Sequence, residues 1–156
     1  MDFLILGPLE VTASGRALQL GAAKQRALLA VLLLRPNQAV SATRLIDELW
    51  GESPIASAAK VVQGYVSGLR KVLGADVIVT TAGGYLVRLD PQHLDSACFE
   101  ALAAEGQACL QDDPARAGER LREALALWRG RPLEGIVLES VAASEAERLE
   151  ELRLAP

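Results

Sequence analysis

The stretch Ser57-Ala58-Ala59-Lys60-Val61-Val62-Gln63-Gly64-Tyr65-Val66-Ser67-Gly68-Leu69-Arg70-Lys71-Val72-Leu73-Gly74 decides the fold. Val62, Val66, Leu69 and Leu73 recur at i, i+4, i+7 and i+11, which is one continuous apolar stripe on a helix. Ser57 is placed to cap the start of that helix and Gly74 to end it. Opposite the stripe lie Lys60, Gly64, Ser67 and Lys71, with Gln63 and Arg70 on the flank. In a DNA major groove, the amide of Gln63 and the cationic heads of Lys60, Arg70 and Lys71 reach base edges and phosphates. Ser67 can donate to a phosphate oxygen. Glycine inside a helix costs about 1 kcal/mol relative to alanine, so Gly64 and Gly68 on an outer face make sense if something approaches the backbone closely. A solvated face on a weakened helix would show the same pattern.

The residues on either side give this helix its context. Before it, Ser41 caps a shorter helix with apolar positions Leu45, Ile46, Leu49 and Trp50, ended by Gly51 and the turn Glu52-Ser53-Pro54. After it, Val77–Thr81 and Tyr85–Leu89 flank Ala82-Gly83-Gly84, a hairpin signature. Thr80, Thr81, Gly83 and Gly84 at its tip can lay hydroxyls and amides along a phosphate strand. Tyr85 is expected to plant its ring in the core with its hydroxyl outward. A short helix, a turn, a longer helix and a hairpin make a winged helix-turn-helix, in which the first helix positions the reading helix and the wing extends the footprint. Further upstream, Leu28, Leu29, Leu32 and Leu33 predict a helix that stops before Pro36. Phe3–Thr12 and Ala17–Leu20, broken by Gly7-Pro8 and turned at Ala13–Arg16, predict a small antiparallel sheet.

Asp90-Pro91 marks a boundary between residues 1–90 and 91–156. Beyond it the pattern is helical. One helix runs from Asp95 through Phe99, Leu102, Ala103 and Leu110. A second is capped by Asp113, opens on Pro114 and carries Ala117, Leu121, Ala124, Leu125 and Trp128. A third runs from about Ala142 through Leu149 and Leu152. The first two, with small residues where they meet, form one unit of a TPR-like helical repeat. Solenoids need at least three repeats, and the sequence stops at Leu154-Ala155-Pro156, so a longer parent protein is expected.

Composition narrows the classes. A hydrophobic fraction of 51% supports a packed core. The longest apolar run, Ala27–Leu34, has eight residues, far below the roughly 20 of a membrane span. No basic residue precedes the first apolar stretch, which argues against a secretory signal. Cys98 and Cys109 stand on one expected helix with a rise of about 16 Å between them, so they cannot pair there. Two unpaired cysteines fit a reducing cytoplasm. The net charge of −4 hides an asymmetry: residues 1–90 carry 9 Lys/Arg against 7 Asp/Glu, and residues 91–156 carry 7 against 13. A mildly basic part is followed by an acidic one. His93 is the only histidine. No catalytic set, phosphate-binding loop, metal-ligand cluster or cofactor motif appears, so an enzyme is not expected.

Several segments, in order, resemble one family. Leu4-Ile5-Leu6-Gly7-Pro8-Leu9, Lys24-Gln25-Arg26-Ala27-Leu28-Leu29-Ala30 and Leu45-Ile46-Asp47-Glu48-Leu49-Trp50 are similar to the Streptomyces antibiotic regulatory protein (SARP) family and its mycobacterial relatives. Tyr65–Gly74 resembles that family's recognition-helix segment, and Gly84-Tyr85-Leu86-Val87 the end of its wing. Ala124–Leu133 resembles the opening of the bacterial transcriptional activator domain. The resemblance implies an OmpR-like winged helix that binds double-stranded promoter DNA at direct repeats. It also implies recruitment of RNA polymerase through its sigma factor or alpha subunit, self-association on tandem sites, and control of secondary-metabolite genes. One departure is Gly68, where many relatives carry arginine; it removes a candidate DNA contact. A winged helix that has lost DNA binding and serves as a protein-interaction module is the alternative.

Overall fold

The computed structural model describes residues 1–154. A three-stranded antiparallel sheet opens the chain, in order β1 (Asp2–Leu4), β2 (Glu10–Ala13) and β3 (Arg16–Ala17), with Phe3 opposite Val11 and Thr12 opposite Ala17. Three helices follow, α1 (Ala23–Leu34), α2 (Ala42–Trp50) and α3 (Ala58–Leu73), then the hairpin β4 (Ile78–Thr81) and β5 (Gly84–Val87). A 3-10 turn at Pro91–His93 leads into α4 (Asp95–Cys109), α5 (Pro114–Ala126) and α6 (Ser140–Leu154). The expected Leu154-Ala155-Pro156 terminus reaches Leu154 within α6; residues 155 and 156 lie outside the described residues.

Helix α1 is the centre of the molecule. Every residue from Ala27 to Leu33 is buried, so the long apolar run is a helix covered on all sides. No helix among the described residues is long and apolar enough to cross a membrane. Helix α2 begins where Ser41 accepts the Arg44 N–H and ends at Gly51, whose φ of 61° permits the reversal. Lys24 reaches across from α1 to the Leu49 carbonyl at that end, and its ammonium lies 5.6 Å from the centre of the Trp50 ring. Trp50 in turn stacks against Tyr65 of α3, with centroids 6.5 Å apart, so one column of side chains ties three helices together. The α3 stripe of Val62, Val66, Leu69 and Leu73 is buried as its spacing predicts. Ser57 occupies the cap position but makes no side-chain capping bond.

The structure differs from the sequence reading at the ends of several strands, which are shorter than expected, at the hairpin turn, at the end of α5 and at Leu110. The hairpin turn is the pair Ala82-Gly83, and Gly84 already belongs to β5, opposite Thr81. Helix α5 stops at Ala126 rather than carrying Trp128, because the Arg129 N–H leaves the helix to donate to the Leu6 carbonyl at 2.7 Å. Leu110, expected on the apolar face of α4, is exposed at the helix end.

Helices α4 and α5 form an antiparallel pair around small residues. A side chain at Gly106 would sit 2.8 Å from Leu121 and 3.2 Å from the Ala117 carbonyl. Asp113 caps α5 through the Arg116 N–H, with Pro114 in its first turn. The helical half is welded to the first. Asp95 accepts the N–H groups of both Ile5 (2.8 Å) and Leu6 (2.9 Å), while the carbonyls of the same two residues accept from Leu133 and Arg129. Glu48 of α2, also buried, accepts the N–H groups of Val141 and Ala142 in the first turn of α6, each at 3.1 Å. One hydrophobic cluster therefore runs from Phe3 through α1 and α3 to Phe99, Ala124 and Leu149.

Candidate nucleic-acid interface

The burial of its inner stripe turns the opposite face of α3 to solvent. Lys60, Gln63, Gly64, Ser67 and Lys71 are all exposed. Gly64 has open space where a side chain would stand, so its backbone can be approached from outside. Gly68 is different. It is half-buried, and a Cβ there would lie 2.6 Å from Oε1 of Gln25. What approaches that backbone is the amide of Gln25, which also donates to the Leu20 carbonyl, and not an external partner. The Gly68 departure thus opens a slot that α1 fills.

The hairpin stands beside the C-terminal end of α3, and the link between them is Arg70. Its Nε donates to the Ile78 carbonyl at 2.9 Å and its Nη2 to the Thr80 hydroxyl at 2.8 Å. On the other side β5 is joined to the segment between α1 and α2: Val40 and Tyr85 exchange N–H···O bonds of 2.8 and 3.0 Å, and the Asn37 N–H donates to Val87. Gly84 packs so closely there that a Cβ would fall 2.0 Å from the Val40 carbonyl oxygen. At the tip, the Thr81 hydroxyl accepts from the Gly83 N–H and donates to the Gly84 carbonyl.

The eleven residues singled out by sequence therefore divide. Lys60, Gln63, Gly64, Ser67 and Lys71 form one open face. Thr80 and Gly83 are exposed on the neighbouring wing, with Thr81 half-buried in its turn. Arg70, Gly84 and Tyr85 are engaged inside the fold: Arg70 on the wing, Gly84 and the Tyr85 backbone on Val40. The Tyr85 ring packs against the core, as expected. Gln25, Asn37 and Val40, which hold the reading helix and wing in place, were missed by sequence reasoning because nothing in their local pattern points across the fold.

The charges are sorted with the same division. Among the described residues, every ion pair lies away from α3 and the wing. Glu105 is held below the usual carboxylate range by hydrogen bonds from Arg116 and Arg120. Arg35 and Arg44 both meet Glu145 of α6. The arginines of the acidic half are thus largely neutralised, whereas Lys60 and Lys71 have no carboxylate within ion-pair distance among the described residues. Such a face retains its full charge for an anionic partner. Among the described residues no cluster of potential metal ligands occurs.

Two family profiles match this chain: transcriptional regulatory protein, C terminal, over residues 15–87, and bacterial transcriptional activator domain, over residues 94–156. Both profiles are those of SARP-family transcriptional regulators, which the chain resembles over nearly its whole length. It is 43% identical over 156 residues to the regulatory protein AfsR of Streptomyces coelicolor and 38% identical over 166 residues to the regulatory protein DnrI of Streptomyces peucetius. Each comparison covers 99% of this chain, but only 16% of AfsR and 61% of DnrI. The solved structure of Mycobacterium tuberculosis EmbR, in complex with a low-affinity phosphopeptide, superposes with a TM-score of 0.92 at 32% identity, covering 99% of this chain and 42% of EmbR. The fold is an OmpR-like winged helix followed by the helices of the activator domain, and the relatives are regulatory proteins.

Proposed function

We propose that this chain is the promoter-reading part of a transcriptional activator. Its α3 enters the major groove with Lys60, Gln63, Gly64, Ser67 and Lys71 toward the DNA, and the wing lays Thr80, Thr81 and Gly83 against the adjacent backbone. The observation that carries this reading is the cationic face of α3 beside a hairpin, without an ion pair among the described residues, whereas in residues 91–156 five of the seven arginines meet carboxylates. Lys60 and Lys71 supply the sequence-independent attraction to phosphate, and Gln63 the donor–acceptor pair that distinguishes adenine. The exposed acidic half, residues 91–156, faces RNA polymerase or a second copy of the chain on tandem direct repeats, which keeps its negative charge off the DNA. The match of residues 94–156 to a bacterial transcriptional activator domain supports activation as the direction of control. The site of action is the cytoplasm, where the two unpaired cysteines stay reduced.

The test is a salt titration of binding to promoter DNA carrying direct repeats, against a scrambled duplex. Tighter binding to the repeats, with log affinity falling linearly in log salt, is the expected result. Equal and negligible affinity for both duplexes at low salt would favour a winged helix that serves protein contacts.

A further inference from the structure

We propose that Arg70 acts on DNA through the wing, as a positioning residue, and that the phosphate-facing charges of α3 are Lys60 and Lys71. This rests on the DNA-reading role of α3. Three observations carry it. Two nitrogens of the Arg70 guanidinium, Nε and Nη2, are spent on the Ile78 carbonyl and the Thr80 hydroxyl. The side chain is half-buried between helix and hairpin, unlike those of Lys60 and Lys71, which are exposed. Finally, β4 and β5 form a two-stranded sheet in which β5 is braced by Val40, so the outer edge of β4 has no strand beside it among the described residues.

Arg70 fills that edge. An isolated hairpin is marginal in water, and an edge strand needs partners for its outward carbonyls. The rigid fork of a guanidinium can hold a backbone carbonyl and a hydroxyl at once. By gripping β4 at Ile78 and Thr80, Arg70 sets the distance between the α3 face and the wing tip, so the two can meet the duplex together. Thr80 accepts from Arg70 and so keeps its own hydroxyl proton to donate to a phosphate.

The amide nitrogen of glutamine occupies the place of arginine Nε along the side chain, so Arg70→Gln keeps the donor to Ile78 while removing the charge. Binding to repeat-bearing duplex DNA is measured across a salt series for the whole chain, its Arg70→Gln, Arg70→Ala and Lys71→Ala variants, with hydrogen exchange of residues 78–87 alongside. In Arg70→Ala, affinity falls by about tenfold, wing amides exchange faster, and the slope of log affinity against log salt stays at the wild-type value. Arg70→Gln recovers most of the affinity and the protection, again with an unchanged slope. Lys71→Ala lowers the slope by about 0.9, as expected for one lost phosphate contact, and leaves the wing protected. A slope lowered by about 0.9 in both Arg70 variants, with wing exchange unchanged, would overturn the positioning role while leaving DNA reading intact. Absence of wild-type affinity for DNA at low salt would overturn both.

Discussion

Glycines show most directly how single residues serve this molecule. Gly84 has φ of +130°, and any Cβ would strike the Val40 backbone, so Gly84→Ala is expected to detach the wing from the α1–α2 link. Backbone strain alone accounts for about 1–3 kcal/mol, to which the clash adds. Gly15 also has positive φ but open space around it, so Gly15→Ala costs only about 1 kcal/mol. Urea unfolding of the two variants measures the difference. Leu69, fully buried in the α3 stripe, costs about 2–5 kcal/mol on truncation to alanine. Asp95 gives a pH signature. Burial pushes its carboxyl above the ordinary value of 3.8, although the Ile5 and Leu6 amides and the nearby Arg129 oppose the shift. The folded state therefore holds the proton more tightly than the unfolded state does. The Asp95 contribution to stability is greatest below pH 3.8 and falls as pH rises through the raised value. The stability difference between wild type and Asp95→Asn should shrink over that interval and then level off; a rising difference would show that the amide donors dominate.

At the scale of elements, two buried carboxylates act as clamps between secondary structures that are distant in sequence. Glu48 closes on two amides in the first turn of α6, where a helix N-terminus favours negative charge. Glu48→Ala leaves both amides without their partner, at about 1–3 kcal/mol for each one that stays buried. Because α2 sets the pose of α3, the loss is expected to raise hydrogen exchange in both α2 and the first turn of α6. Exchange confined to α6 would show that α2 is held by the core alone. The wing has the opposite character. Its strands are four residues each, and it is secured by Val40 on one edge and Arg70 on the other.

For the whole molecule, the shared core makes a strong demand. The four backbone hydrogen-bonding groups of Ile5 and Leu6 are satisfied from beyond residue 90, and α1 is covered partly by α6. Unfolding should then be one cooperative transition. Trp50 reports on the first half and Trp128 on the second, so each can be followed alone in a variant where the other is replaced by phenylalanine. Coincident denaturation curves are expected; separated midpoints would mean that the halves unfold independently.

Residue spacing alone determined that α3 has an apolar face and a cationic one, that α2 and the hairpin flank it, and that a helical pair follows Asp90-Pro91. Those features are periodic or capped locally, and local patterns carry them. The cap at Ser41, the break at Pro36 and the small-residue seam between α4 and α5 were legible for the same reason. Tertiary structure decided which face residues remain available. The side chain of Arg70, the backbone at Gly68 and the amide edge of Tyr85 look like surface features in sequence, but each meets a partner from another element. It also decided that Asp95, whose position reads as an ordinary helix start, and Glu48, which stands outside the apolar positions of α2, are buried clamps. Contacts such as Asp95 to Ile5 span some 90 residues. They are selected by the geometry of the packed core, in which a buried donor must find an acceptor wherever the chain supplies one.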